Sequence, residues 1–203
     1  MVIDINGKRV MTDPAVFSTG HGEEKNIDLI IITHEHPDHF HLESLKKVLE
    51  NNPSSLIVTN TAVGKLLDQA KIKYQILEDK NSGTFADVYL EAHGNEHAFI
   101  RSGVTIVQNT GYFIGEDLFY PGDALTNPNK TVNVLALPVN APWLKIEDVL
   151  QYARAINPKT AFSVHDGMLN EFGLAYIKKT VTEALLSYGV NFIVPELNKE
   201  EDL

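Results

Sequence analysis

The chain contains no cysteine. That excludes disulfide staples, thiolate nucleophiles and cysteine-based zinc sites, so any metal must be held by histidine or carboxylate. Long apolar runs are missing as well. Leu29-Ile30-Ile31-Ile32 and residues 132–139 are strand-length, far short of the ~18 residues that cross a bilayer. Residues 1–10 show no basic segment followed by an apolar core, and the chain reads as cytoplasmic with no membrane partner. Positive charge is scarce: 17 Lys and Arg stand against 27 Asp and Glu, for a net charge of −10. This opposes a broad phosphate-binding surface and argues against nucleic acid as a partner. No Pro/Gly/Ser linker or low-complexity tract interrupts residues 1–203, which read as one continuous domain.

What is present is alternation. With 43% hydrophobic residues over 203 positions, there is material for one well-buried core. Asn6-Gly7 between two apolar stretches is a hairpin signal, because both positions tolerate positive φ. Residues 28–33 form an Ile-rich buried strand, and Leu42, Leu45, Val48 and Leu49 recur at helical spacing. The same reading predicts strands over 56–59, 74–77, 85–92, 132–137, 160–164 and 191–194. It predicts helices over 62–71, 146–156 and 174–188, the last capped by Gly189, and hairpins over 102–108 and 112–120. Periodicity by itself implies a mixed α/β fold.

The chemistry concentrates in Thr33-His34-Glu35-His36-Pro37-Asp38-His39, directly after the buried strand. Imidazole and carboxylate suit Zn²⁺, Fe²⁺ or Mn²⁺. An HxH spacing in a loop lets two rings approach one ion, while Asp38 and His39 point towards a second. The zinc-protease signature HExxH is absent. Gly20-His21-Gly22 is too short and wrongly placed for a dinucleotide fingerprint, and His21 and His41 are expected to face solvent.

HxHxDH at the end of an apolar strand resembles the metallo-β-lactamase superfamily. Three further segments resemble it in the same order: Asp13-Pro14, Tyr120-Pro121-Gly122-Asp123 and the strand-end His165 in Phe162-Ser163-Val164-His165-Asp166-Gly167. The resemblance covers roughly residues 8–170, nearest the branch containing L-ascorbate-6-phosphate lactonase. It implies a four-layer αββα sandwich. Members usually begin with an extra strand, so either that edge strand is absent here or the chain starts late; an open edge would favour a homo-oligomer.

The resemblance also implies a site. His34, His36 and a third histidine would hold one metal; His97, on the turn after Gly94, is the expected residue and His93 the alternative. Asp38, His39 and His165 would hold a second, with Asp123 bridging. Asp38 and Asp123 are the expected catalytic carboxylates, acting on a metal-held hydroxide, and Asp13 would orient a ligand imidazole. Zn²⁺ is the default cofactor, with Mn²⁺ or Fe²⁺ as alternatives. Trp143, the only tryptophan, is expected to line the pocket, Lys145 to cap the next helix, and Asp166 to support His165 or form a turn. The implied activity is hydrolysis of a small anionic ester, lactone or phosphoester. Other readings are a nuclease, a mononuclear oxygenase of the same fold and a metal-dependent binding or sensor protein.

Overall fold

The computed structural model describes residues 1–17 and 20–203. The chain begins with an antiparallel hairpin, β1 (Val2–Ile5) and β2 (Lys8–Thr12), closed by Asn6 and Gly7, both at positive φ. After β3 (Leu29–Ile31) come α1 (Leu42–Asn51), β4 (Leu56–Thr59), α2 (Thr61–Gln69) and the short β5 (Gln75–Ile76). These strands form one sheet in the order β1-β2-β3-β4-β5, parallel from β2 onward, with β1 at its edge.

The second sheet contains β6 (Ser82–Phe85), β7 (Val88–His93), β8 (Gly111–Ile114), β9 (Leu118–Tyr120), β10 (Val134–Pro138), β11 (Thr160–Val164) and β12 (Asn191–Ile193), in the order β12-β11-β10-β9-β8-β7-β6. Its antiparallel side runs from β6 to β9, and β9 to β12 are parallel. α3 (Ile146–Ile156) and α4 (Glu171–Leu186) accompany the parallel half.

Strand alternation explains the layering. On β3, Leu29 and Ile31 join Val10 and Val58 against Leu90, Tyr112, Ile114 and Phe162, filling the space between the two sheets. Ile30, with Ile32 just beyond the strand, packs outward on Leu45 and Val48 of α1 and Val63 and Leu67 of α2. Both faces of the strand are therefore buried, which is why it reads as an unbroken apolar run rather than an alternating one. The second sheet does the same, with Phe113, Phe119, Leu135 and Leu137 facing Val149, Ala153, Val181 and Leu185 of α3 and α4. The result is the expected αββα sandwich. Each of these buried Val, Leu, Ile and Phe side chains contributes about 1.5–3 kcal/mol.

Three local expectations are corrected. The strand expected over 85–92 starts only at Val88: Phe85 ends β6, and Ala86 and Asp87, at φ of 49° and 65°, turn the chain between β6 and β7. Residues 102–108 form no strand; Val104 N–H bonds Arg101 C=O in a turn, and Ile106 is exposed. Its alternating apolar residues lack a partner strand to bury them. α4 starts at Glu171, capped by the Asn170 side chain on Gly173 N–H, and ends at Leu186. Gly189 lies beyond the helix at φ 75° and lets Val190 N–H return to Leu185 C=O.

Candidate metal centre

Ligand-bearing loops leave the carboxyl ends of β3, β7, β9 and β11 on the same side of the sandwich, where open α/β sheets place their sites. The first loop is built locally. His36 C=O accepts both His39 N–H (2.9 Å) and Phe40 N–H (2.7 Å), with Pro37 at the second turn position, where its fixed φ belongs. The tight turn lets one short segment supply His36 to one group and Asp38 and His39 to another.

The structure brings two groups together: His34, His36 and His97, and Asp38, His39, Asp123 and His165. In the first, ring centroids lie 4.7 Å (His36 to His97), 4.9 Å (His34 to His36) and 5.0 Å (His34 to His97) apart. Asp123 touches both groups: its Oδ2 is 3.4 Å from His97 Nε2 and 3.2 Å from His165 Nε2, and its Oδ1 is 3.0 Å from His39 Nε2. Asp38 Oδ2 lies 3.3 Å from His165 Nε2. All seven residues predicted for the site therefore converge.

His93 does not join them. Its Nε2 lies 2.8 Å from Glu91, and its ring sits edge-on to Phe113 and Phe119. His97 reaches the centre because Gly94, at φ 81° and pressed against Thr126, turns the chain, after which His97 N–H bonds Val107 C=O. His21 and His41 are outside both groups and half-buried rather than solvent-facing; His41 Nδ1 contacts Ser44 Oγ at 2.9 Å. Lys145 is exposed at the start of α3, where its N–H donates to Asp148. Asp166 accepts from Ser163 Oγ and stays outside the cluster.

The outward nitrogens of the histidines define their chemistry. Nδ1 of His39 donates to Asp13 Oδ2 (2.8 Å), Nδ1 of His97 to Ala98 C=O (2.6 Å) and Nδ1 of His165 to Asn140 C=O (2.5 Å). The Thr33 hydroxyl donates to Asp13 and so accepts from His34 Nδ1–H at 3.1 Å. With Nδ1 carrying the proton, each neutral ring presents its Nε2 lone pair inward. Nε2 of His34, His39, His97 and His165 and Oδ1 of Asp123 are buried with no hydrogen-bond partner. Facing lone pairs in a buried cluster favour a cation, so the residues fit a bound metal. In the metal-free chain protons fill that need. Burial alone would lower His39, but the carboxylates of Asp13 and Asp123 overcome it and raise its pKa to about 10; His165 is raised to about 10 against the same penalty by Asp123 and Asp38. Burial drives His34 well below the ordinary value. Asp123, despite burial, is held well below the carboxylate range by His165, His39 and His97.

Two supporting hydrogen bonds go beyond what the sequence indicated. Tyr120 O–H donates to Asp13 Oδ2 at 2.6 Å, and Trp143 Nε1–H donates to Asp123 Oδ2 at 3.0 Å with its ring 6.0 Å from His97. Asp13 is the hub: it also accepts Thr33 N–H (2.8 Å) and Thr33 O–H (2.9 Å). Asp13 and His165 both sit at positive φ, 47° and 61°; such backbone strain clusters at functional sites.

The family follows from comparison. The model of the Beta-lactamase superfamily domain matches residues 1–165, and the chain belongs to that superfamily. In sequence it is 30% identical over 174 residues to Protein Rv0786c of Mycobacterium tuberculosis (strain ATCC 25618 / H37Rv), covering 83% of this chain and 81% of that protein. In structure it is similar to a candidate metal-dependent hydrolase of Parabacteroides distasonis (TM-score 0.76, 21% identity, 97% of this chain and 89% of that one). It also resembles CmlA, a diiron β-hydroxylase of Streptomyces venezuelae (TM-score 0.70, 14% identity, 97% of this chain and 51% of that one). Likeness at these identities establishes the shared fold. No helix among the described residues is long and apolar enough to cross a membrane.

Proposed function

We propose that this protein is a metal-dependent hydrolase acting on a small ester, lactone or phosphoester. The observation that carries the reading is the set of buried, unpartnered Nε2 atoms converging around Asp123. His34, His36 and His97 would hold one divalent ion, and Asp38, His39 and His165 a second, with Asp123 between them. When bound, such a pair supplies Lewis acidity towards the substrate oxygen and a water acidified to near neutrality.

The chain's own residues do the rest. Asp13, Ala98 C=O and Asn140 C=O hold three imidazoles in the tautomer that leaves Nε2 free. Trp143 fixes the rotation of the Asp123 carboxylate. Asp38, half-buried beside the cluster, is placed to hold a proton of the attacking water. The donor set of nitrogen and oxygen accepts Zn²⁺, Mn²⁺ or Fe²⁺; Zn²⁺ is the first choice, and the diiron CmlA makes iron the one to exclude first. A lactonase-like specificity is the finer form of this proposal.

The test is elemental analysis of protein purified without added metal, with His97→Ala and His93→Ala alongside, and a hydrolysis screen with and without chelator. The reading expects about two ions per chain, a loss in His97→Ala alone, and chelator-sensitive turnover. A chain that takes up no metal on titration would refute it.

A further inference from the structure

The segments that carry the seven clustered residues share a feature in sequence. No Lys or Arg lies within three residues of any of them in sequence, over 31–42, 94–100, 120–126 and 162–168. A site that grips a phosphate or carboxylate through protein side chains commonly uses such cations. Five large apolar side chains that are exposed lie on the segments flanking these residues or in backbone contact with them: Val16, Phe17, Phe99, Met168 and Phe172.

Backbone contacts tie most of these to the centre. Val16 N–H bonds Pro37 C=O, inside the His36-to-His39 turn. Phe17 packs on the loop after His165, its Cβ 3.9 Å from where a Cβ on Gly167 would sit, and Met168 follows directly. Phe172 stands in the first turn of α4, which that loop enters. On the other flank, Ala98 N–H bonds Asp123 C=O at 2.8 Å, and Phe99 is the next residue. Phe17, Phe99 and Phe172 are 60%, 59% and 76% exposed. Apolar side chains around a few convergent polar groups are the usual construction of a small-molecule site.

We infer that the substrate carries a neutral apolar arm, an acyl chain or aromatic group, which lies along Val16, Phe17, Phe99, Met168 and Phe172 while its ester or lactone carbonyl meets the metal centre. This rests on the hydrolase reading and narrows it away from small anionic phosphoesters. Hydrolysis adds one water across the acyl C–O bond: the water oxygen bonds to the carbonyl carbon, the C–O bond to the leaving group breaks, and the departing oxygen gains a proton. For a lactone both products remain one hydroxy acid.

The experiment uses metal-replete full-length protein and p-nitrophenyl acetate, butyrate, hexanoate and octanoate, with p-nitrophenyl phosphate in parallel. Burial of a methylene is worth up to roughly fourfold in binding, so kcat/KM should climb with chain length before levelling. In Phe17→Ser/Phe172→Ser, with metal content equal to the parent, the octanoate-to-acetate ratio should fall about tenfold. Metal-dependent ester turnover with a flat or falling chain-length profile, or preference for the phosphate, would overturn the apolar arm and leave the hydrolase standing. Absence of metal-dependent turnover on every compound would overturn both. If light scattering shows that the double variant halves the molar mass while the ratio holds, the patch is a self-association face and the inference fails.

Discussion

Replacing Asp13 by Asn tests how the centre is held together. The Asp13 carboxylate accepts four hydrogen bonds: Thr33 N–H on Oδ1, and Thr33 O–H, His39 Nδ1–H and Tyr120 O–H on Oδ2. Asn is nearly the same size and tolerates the φ of 47° found here, so the change isolates the carboxylate. Its amide has one acceptor oxygen. If that oxygen takes the place of Oδ2, three bonds survive as weaker neutral ones, and the NH₂ faces Thr33 N–H, donor to donor. A buried donor left without a partner costs about 1–3 kcal/mol. The consequence for the metal should be local. His39 loses the anion that orients its ring, and a change of this kind lowers metal affinity about 10–100-fold, or roughly 1.4–2.8 kcal/mol. The loss should fall on the ion held by Asp38, His39 and His165 and spare the one at His34, His36 and His97. Competition against a chromophoric chelator resolves the two binding steps. Two ions bound with both affinities within twofold of the parent would refute the claim that Asp13 supports His39.

Other outcomes follow from the same geometry. Because His39 and His165 are held up to about 10 in the metal-free chain, both are protonated at pH 7, and metal uptake should release about two protons, with affinity rising as pH rises; calorimetry in buffers of different ionisation enthalpy measures this. The same raised pKa values mean that their contribution to metal-free stability is complete below about 6.5 and is lost as pH climbs through about 10, which a melting series from pH 6 to 10 would show. Gly122→Ala places a Cβ 2.4 Å from Asn109 Oδ1 and 2.9 Å from Thr33 Cβ at φ 63°. Asn109 links Pro121 C=O to Asp123 N–H, so the variant should lose about 3 kcal/mol, roughly 6–12 °C in Tm by calorimetry. Trp143, the sole tryptophan, donates to Asp123 Oδ2; its emission should change when metal is titrated in and the signal should vanish in Trp143→Phe at unchanged stoichiometry. Uptake without any emission change would refute that contact.

Much of the site is legible in the residues themselves because its information is local. HxHxDH packs four of the seven ligand-type residues into one turn, and Gly122 before Asp123 marks a backbone that only glycine fits. Asn6-Gly7 and the apolar run at 29–32 announce a hairpin and a strand buried on both faces. The errors arise where local pattern has no partner: residues 102–108 alternate like a strand but find no strand to pair with, while Ala86-Asp87 turns the chain without the Gly or Asn that usually advertises it. Sequence by itself therefore determined the mixed α/β class, the ligand types and the cysteine-free chemistry, since these depend on period, residue identity and spacing within a few positions. Only the tertiary structure decided that His97 rather than His93 meets His34 and His36, that Tyr120 and Asp13, 107 residues apart, share a hydrogen bond, and that Trp143 holds Asp123. Those contacts come from two sheets burying a common apolar face, a packing event that brings distant strand ends together and leaves no signature in the residues nearby.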